Sequence, residues 1–337
     1  MFKRTIKFIA LILLLIGFLN QTNAQEKRAQ TSFKFISTPL AAKAAGMSDA
    51  IYSIEGGAES IFANPATMSR QSTFANITGG QVQFIADINY HYAAAAFAPA
   101  KGLYGVFGFH VLSVDYGDLQ ETIRSNNDRG YIDIGTFSPI SFSVGMSYAR
   151  AISTQFSIGG TIKYLGMDLG TGSTDISSGG VLVREKFKAN VLAYDFGVHY
   201  KTGWESLELG FAFKNLSQEV KFDTENSEIP LTFRMGMSMN IIDLTSLDKN
   251  YHSFILSLNA NRPRDFNEQV ILGLDYTFIK RVSFRGGYLL PAEEQGVSFG
   301  VGFNQPIKNG IGIKVDYSYT DFGIFSGVNR LAVQFSF

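Results

Sequence analysis

The chain has 337 residues with 29 Lys and Arg against 29 Asp and Glu, and a net charge of zero offers no electrostatic case for nucleic acid as a partner. Thirty Phe and fifteen Tyr beside a single Trp, 34 Gly but 8 Pro, and 17% charged residues describe a strand-rich chain with a sparsely charged surface. A mean hydropathy of +0.06 is too low for a polytopic helical membrane protein, so only a barrel could cross lipid at this average.

Residues 1–24 carry Lys3, Arg4 and Lys7, then the apolar run Phe8 to Leu19, then Thr22-Asn23-Ala24. This order predicts a secretory signal peptide cleaved after Ala24. Zero cysteines exclude disulfides and a lipobox, and are compatible with a periplasmic route. Residues 25–71 change character. After the polar Gln25 to Thr31 come Leu40 to Met47 and Gly56 to Met68, rich in alanine and punctuated by Gly56-Gly57 and Asn64-Pro65. Short helical turns are expected there. The segment is too small and too poor in large side chains to fold alone. Its place just before the first strand predicts a plug inside a lumen, where irregular backbone at membrane depth is tolerated because protein surrounds it.

Residues 72–337 read as an all-β, transmembrane antiparallel β-barrel of about 14 strands, roughly 19 residues for each strand and its connection. The pattern is clearest in Ile311, Ile313, Val315, Tyr317 and Tyr319, with Gly312, Lys314, Asp316, Ser318 and Thr320 between them. Period-two side chains place the first set toward lipid and the second toward a polar lumen. Leu331, Val333, Phe335 and Phe337 repeat it against Ala332, Gln334 and Ser336. Connections after odd strands are often long and polar, notably Gly117 to Pro139, Gly166 to Lys188 and Lys221 to Pro230, whereas those after even strands are short, apart from Ile242 to Tyr251. That is the loop asymmetry of outer-membrane barrels. Lys163, Asp195, Glu208, Arg234, Asp275, Lys314 and Asp316 all fall on the inner face, since a charge at mid-depth on the lipid face costs about 2–4 kcal/mol.

Catalytic signatures fail on context, so a non-enzyme is expected. Gly296-Val297-Ser298-Phe299-Gly300 matches the G-x-S-x-G nucleophile elbow, but it lies in an alternating strand and no His follows it. His91, His110, His199 and His252 have no metal-ligand spacing, and no glycine-rich loop opens a helix, so no metal or cofactor is expected.

Ala44-Ala45-Gly46-Met47-Ser48-Asp49-Ala50, then Asn64-Pro65-Ala66, then the barrel, resemble the PorV/PorQ family of Bacteroidota, itself related to the FadL long-chain fatty acid transporters. Val114-Asp115-Tyr116-Gly117 and Phe213-Lys214-Asn215-Leu216 also look like this family. Gly46, Asn64, Pro65 and Ala66 are the plug motif of that resemblance. What the resemblance implies is an outer-membrane component of the type IX secretion system. Its partners would be the translocon and secreted cargo with C-terminal signal domains. In that reading the plug blocks the lumen, and the long loops, with Leu182, Val183 and Ile123 exposed, dock the cargo. The alternative is a FadL-like transporter of fatty acids or other small hydrophobic molecules, with an apolar pocket between plug and wall on the long-loop side and a gap in the wall near a strand kink. A lipid-modifying enzyme, the third reading, lacks a nucleophile and base.

Overall fold

The computed structural model describes residues 31–176, 182–222, 225–292, 295–307 and 310–337. The expected signal peptide lies outside the described residues. Among the described residues eighteen strands follow in order. They are β1 (Ala75–Gln83), β2 (Asn89–Phe97), β3 (Val106–Asp115), β4 (Leu119–Arg124), β5 (Tyr131–Phe137) and β6 (Ile140–Ala151). Next come β7 (Phe156–Ile176), β8 (Leu182–Lys201), β9 (Glu208–Ser217), β10 (Val220–Phe222), β11 (Glu225–Ser227) and β12 (Thr232–Asn240). The last are β13 (His252–Pro263), β14 (Gln269–Phe278), β15 (Val282–Leu290), β16 (Val297–Pro306), β17 (Gly312–Asp321) and β18 (Gly327–Ser336).

Fourteen of these strands close into one antiparallel barrel, with β1 pairing β18 from Asn76↔Ser336 to Gln83↔Asn329. The remaining four form two small hairpins, β4–β5 and β10–β11, on the connections after β3 and β9. Each barrel strand coincides with a segment of the alternating pattern. The long connections differ from the expectation of polar loops. Gly117 to Pro139 and Lys221 to Pro230 hold the hairpins, and Gly166 to Lys188 is mostly the continued β7–β8 ladder, paired on to Ile176↔Leu182. The alternation there is diluted by Gly, Ser and charged residues because nothing apolar has to be faced once the strands leave lipid.

The outer face carries Phe107, Phe109 and Val111 on β3, Phe284 on β15, and Phe299, Val301 and Phe303 on β16, all exposed. A patch this large and apolar calls for hydrocarbon rather than water. Among the described residues no helix is long and apolar enough to cross a membrane. Every charge expected on the inner face points inward, with Lys163, Asp195, Arg234, Asp275 and Asp316 buried and Glu208 and Lys314 half-buried. Arg285, Arg330, Lys214, His110 and His199 join them on that face.

Residues 31–71 run down the lumen from the side of the long loops to the side of the short turns. Thr31 bridges Glu228 on the loop side, and Arg70 donates to the Ser153 carbonyl in a turn between β6 and β7. Between these points the chain makes one short α-helix, Ala42–Gly46, and 3₁₀ turns at Lys34–Ser37, Ala58–Phe62 and Pro65–Arg70. Phe33 and Phe35 cap the upper lumen, packed in one cluster with Val82, Tyr90, Val114 and Leu165 of the wall. Lower down, inward glycines make room for plug backbone. An added Cβ at Gly46 would sit 3.0 Å from the Cα of Gly300, one at Gly159 would sit 2.6 Å from Ala66 N, and one at Gly287 would collide with the Met47–Ser48 peptide. The glycines inside the wall therefore trace the course of the plug.

Candidate functional site

The plug is fastened to the wall by polar groups in three places. At the turn side stands Asn64, fully buried, with its Nδ2 donating to the carbonyls of Tyr52 at 2.8 Å and Val198 at 3.0 Å. Its Oδ1 accepts from Ala66 N at 3.1 Å, capping the turn that Pro65 opens. Gly46, Pro65 and Ala66 touch wall glycines, so the motif Gly46, Asn64, Pro65, Ala66 works as contact surface between plug and barrel.

At mid-depth the ladder between β8 and β9 slips, so that Lys214 and Asn215 together face the single residue Asp195. Asn215 takes a positive φ of 65°, which frees its N–H from the ladder to donate to Asp195 at 2.7 Å. Lys163 Nζ completes the group, 2.7 Å from Asp195 and 2.6 Å from Asn215 Oδ1, while Lys214 donates to the Phe62 carbonyl of the plug. Opposite, Arg285 is held by Asp316 at 2.7 Å and Asp275 at 3.3 Å, with Lys314 2.9 Å from Asp316. Beside this cluster lies Lys43 of the plug helix. Burial, with Lys314 nearby, pulls its ammonium below the ordinary lysine range, and Glu59 at 3.9 Å opposes that shift.

On β12, Arg234 pairs with Asp49 of the plug and lies 4.7 Å from the centre of the Tyr52 ring. Burial pushes the Tyr52 hydroxyl well above its ordinary value, so it remains protonated and donates to Asp49 at 3.3 Å. Directly above opens a pocket of about 180 Å³ between plug and wall. Its apolar lining includes Pro39, Pro263, Phe266, Ile271, Leu289 and Phe322, and its polar lining includes Lys34, Asp49, Thr232, Arg234, Asn261 and Gln269. Lys34 lies over the Phe266 ring at 4.2 Å and pairs with Asp265. The expected pocket between plug and wall therefore exists on the loop side, but its lining is amphipathic rather than apolar, because Arg234 and Lys34 come with the ion pairs that fasten the plug.

The gap expected near a strand kink is not found among the described residues, where every barrel strand pairs with both its neighbours. The ladder shifts register twice in the β7–β8 extension and once at the β9 bulge, where Lys163, Asp195 and Asn215 close the inner side. Of the residues expected to dock cargo, Val183 is exposed, Ile123 is half-buried in the β4–β5 hairpin, and the Leu182 side chain lies outside the described residues. Ser298 of the G-x-S-x-G match is buried on the inner face of β16, in extended strand, and donates to Thr320 Oγ1 at 3.3 Å. That bond belongs to wall packing, in a strand rather than on the turn an elbow requires.

No protein-family model and no curated protein matches the chain. Solved structures do. The Ralstonia pickettii toluene transporter TbuX is similar over 88% of this chain and 98% of its own, with a TM-score of 0.56 and 13% identity. The Pseudomonas putida toluene transporter TodX is similar over 93% of this chain and 99% of its own, with a TM-score of 0.56 and 10% identity. A Pseudomonas aeruginosa FadL homologue covers 88% of this chain and 97% of its own, with a TM-score of 0.51 and 12% identity. This is the FadL-type barrel fold. At such identities the likeness is one of architecture, and it extends over almost the whole length of each neighbour.

Proposed function

We propose that the protein is an outer-membrane carrier for small hydrophobic or amphipathic molecules, received from the loop side into the pocket under Phe266 and Phe322. The carrying observation is that pocket: about 180 Å³, walled by Ile271, Leu289 and three prolines, with the charges of Arg234 and Lys34 in its lining. It is smaller than the several hundred Å³ of pockets for drug-sized ligands, which favours a single ring or short chain over an entire long acyl chain. Two fold neighbours are toluene transporters, which supports the same size class. The test is uptake of toluene, and separately of a long-chain fatty acid, by a FadL-deficient host expressing the protein. Ile271→Trp, which fills the pocket floor, should abolish uptake while the barrel still assembles. Uptake equal to the empty host for both compounds overturns the reading.

A second reading is cargo docking in type IX secretion, implied by the PorV/PorQ resemblance. What favours it is a lumen packed with plug along its depth together with two hairpins and an extended β7–β8 ladder on the loop side. Affinity isolation from gently solubilised outer membranes tests it. Stoichiometric secreted proteins with a common C-terminal domain, lost on deletion of residues 170–186, would support it; a barrel recovered without such proteins would count against it.

A further inference from the structure

At the turn-side mouth of the lumen a second polar site stands apart from the pocket. His199 of β8, fully buried, directs Nε2 at Glu208 Oε2, 3.2 Å away, and at the Ser53 carbonyl oxygen of the plug, 3.1 Å away. Glu55, two residues further along the plug, brings a second carboxylate. One ligand atom from each of Glu55, His199 and Glu208 lies within 4.8 Å of the others. Lys201 Nζ fills the space between the acids, 2.7 Å from Glu55 and 3.5 Å from Glu208, and Arg70 Nε lies 3.5 Å from Glu55.

This is more than an acidic cluster. A tetrahedral zinc ion with bonds of about 2.0–2.2 Å holds neighbouring ligand atoms roughly 3.3 Å apart. The separations of Nε2 from the Glu208 carboxylate and from the Ser53 oxygen already match that edge. One imidazole nitrogen with carboxylate and carbonyl oxygens suits a borderline ion such as zinc, whereas magnesium and calcium favour oxygen alone. Lys201 is the resident cation, and its side chain is 34% exposed, so its ammonium has a path to water when a divalent ion takes its place.

We propose that Glu55, His199 and Glu208, with the Ser53 carbonyl oxygen, form a site for a zinc-like divalent ion that ties the plug to the wall at its periplasmic end. Two ligands belong to the plug and two to the barrel. Ion binding therefore opposes any movement of the plug along β8 and β9. The site would hold the plug's lower end while the loop-side pocket loads and empties.

The test uses the untagged full chain in detergent micelles, stripped with EDTA and titrated with zinc chloride by calorimetry. One saturable site per chain is expected. His199→Gln and Glu55→Gln should each weaken it by about tenfold or more, whereas Glu219→Gln on the loop side should leave it unchanged. Lys201→Met should strengthen it by about tenfold, because the competing charge is gone. The heat-dependent gel shift of each variant reports that the barrel has closed. If His199→Gln fails that check, Glu55→Gln and Lys201→Met, both at half-exposed positions, carry the test. Absence of saturable zinc uptake in the wild type and in Lys201→Met overturns the proposal, and so does unaltered affinity in Glu55→Gln. A Lys201→Met chain that binds no zinc but loses its plug to protease would mean that the cluster is an ion-pair latch alone.

Discussion

Replacing Asn64 by alanine isolates the fastening of the plug from everything else in the barrel. The residue sits at φ −123° and ψ 105°, ordinary extended backbone, so alanine adds no strain of its own. What disappears is three hydrogen bonds: two from Nδ2, to Tyr52 O at 2.8 Å and Val198 O at 3.0 Å, and one into Oδ1 from Ala66 N at 3.1 Å. Only the bond to Val198 crosses from plug to wall, while the other two hold the plug's own turns, so at about 1 kcal/mol net for each the folded, docked plug loses about 3 kcal/mol against an unfolded, undocked one, and more where the Tyr52 carbonyl and Ala66 N–H remain dry and unpaired. A loss of 3 kcal/mol is about two orders of magnitude in the population of undocked plug. Purified Asn64→Ala reconstituted in planar bilayers should open far more often than the wild type under the same voltage, and trypsin should cut its plug faster. Asn64→Asp keeps the acceptor for Ala66 but loses both donors, so it should behave almost as badly. If Asn64→Ala matches the wild type in conductance and in protease resistance, the plug is not held at this motif and the reasoning fails.

Three further outcomes follow from the two faces of the wall. Gly287→Leu drives a side chain into the Met47–Ser48 peptide, whereas a Cβ at Gly286 meets nothing within 4 Å, so the first variant should assemble poorly and the second normally in a heat-shift gel assay. Arg285→Met takes the paired cation from Asp275 in the lumen while Asp316 keeps Lys314, and should cost about 3–5 kcal/mol of resistance to urea in vesicles, with much of the loss recovered by adding Asp275→Asn. Val301→Arg, outward and mid-strand, should lower folding stability in vesicles by about 2–4 kcal/mol; an unchanged urea midpoint would mean that β16 does not face lipid.

The alternation was legible because two solvents differ more than any propensity does. Lipid outside and polar contacts inside force every second residue of β17 to be Ile, Val or Tyr, and the same rule counted the fourteen strands and sorted seven charges inward. The pattern holds even where it breaks. Phe211 and Phe213 face out, then Leu216 does, a slip of one residue that marks the bulge placing Lys214 and Asn215 against Asp195. The wall glycines were visible as small inward residues, but nothing in their spacing says that plug backbone lies against them. The pocket was harder still. Its lining comes from the plug, from β12 to β15 and from three connections, residues brought together only when the barrel closes. The amphipathic lining follows from Asp49, which brings Arg234 to the pocket floor, and a plug–wall ion pair has no local signature. The hairpins after β3 and β9 were missed for a related reason: in water, polar residues serve both faces of a ribbon.

The course of the plug bears on how the molecule is made. Residues 31–71 precede every strand, yet they end up enclosed by all fourteen, with Gly46 against β16, Asn64 against β8 and Arg330 of β18 donating to the Pro39 carbonyl at 2.9 Å. A wall closed first would have to be threaded lengthwise by this segment before its turns could form. The reverse order avoids threading, with the early chain waiting in a half-built cylinder until β18 meets β1. That seam joins Asn76 to Ser336, among the most distant pairs in the sequence, and is entropically the slowest contact to form. The last ladder to zip up is thus also the door that shuts the plug in.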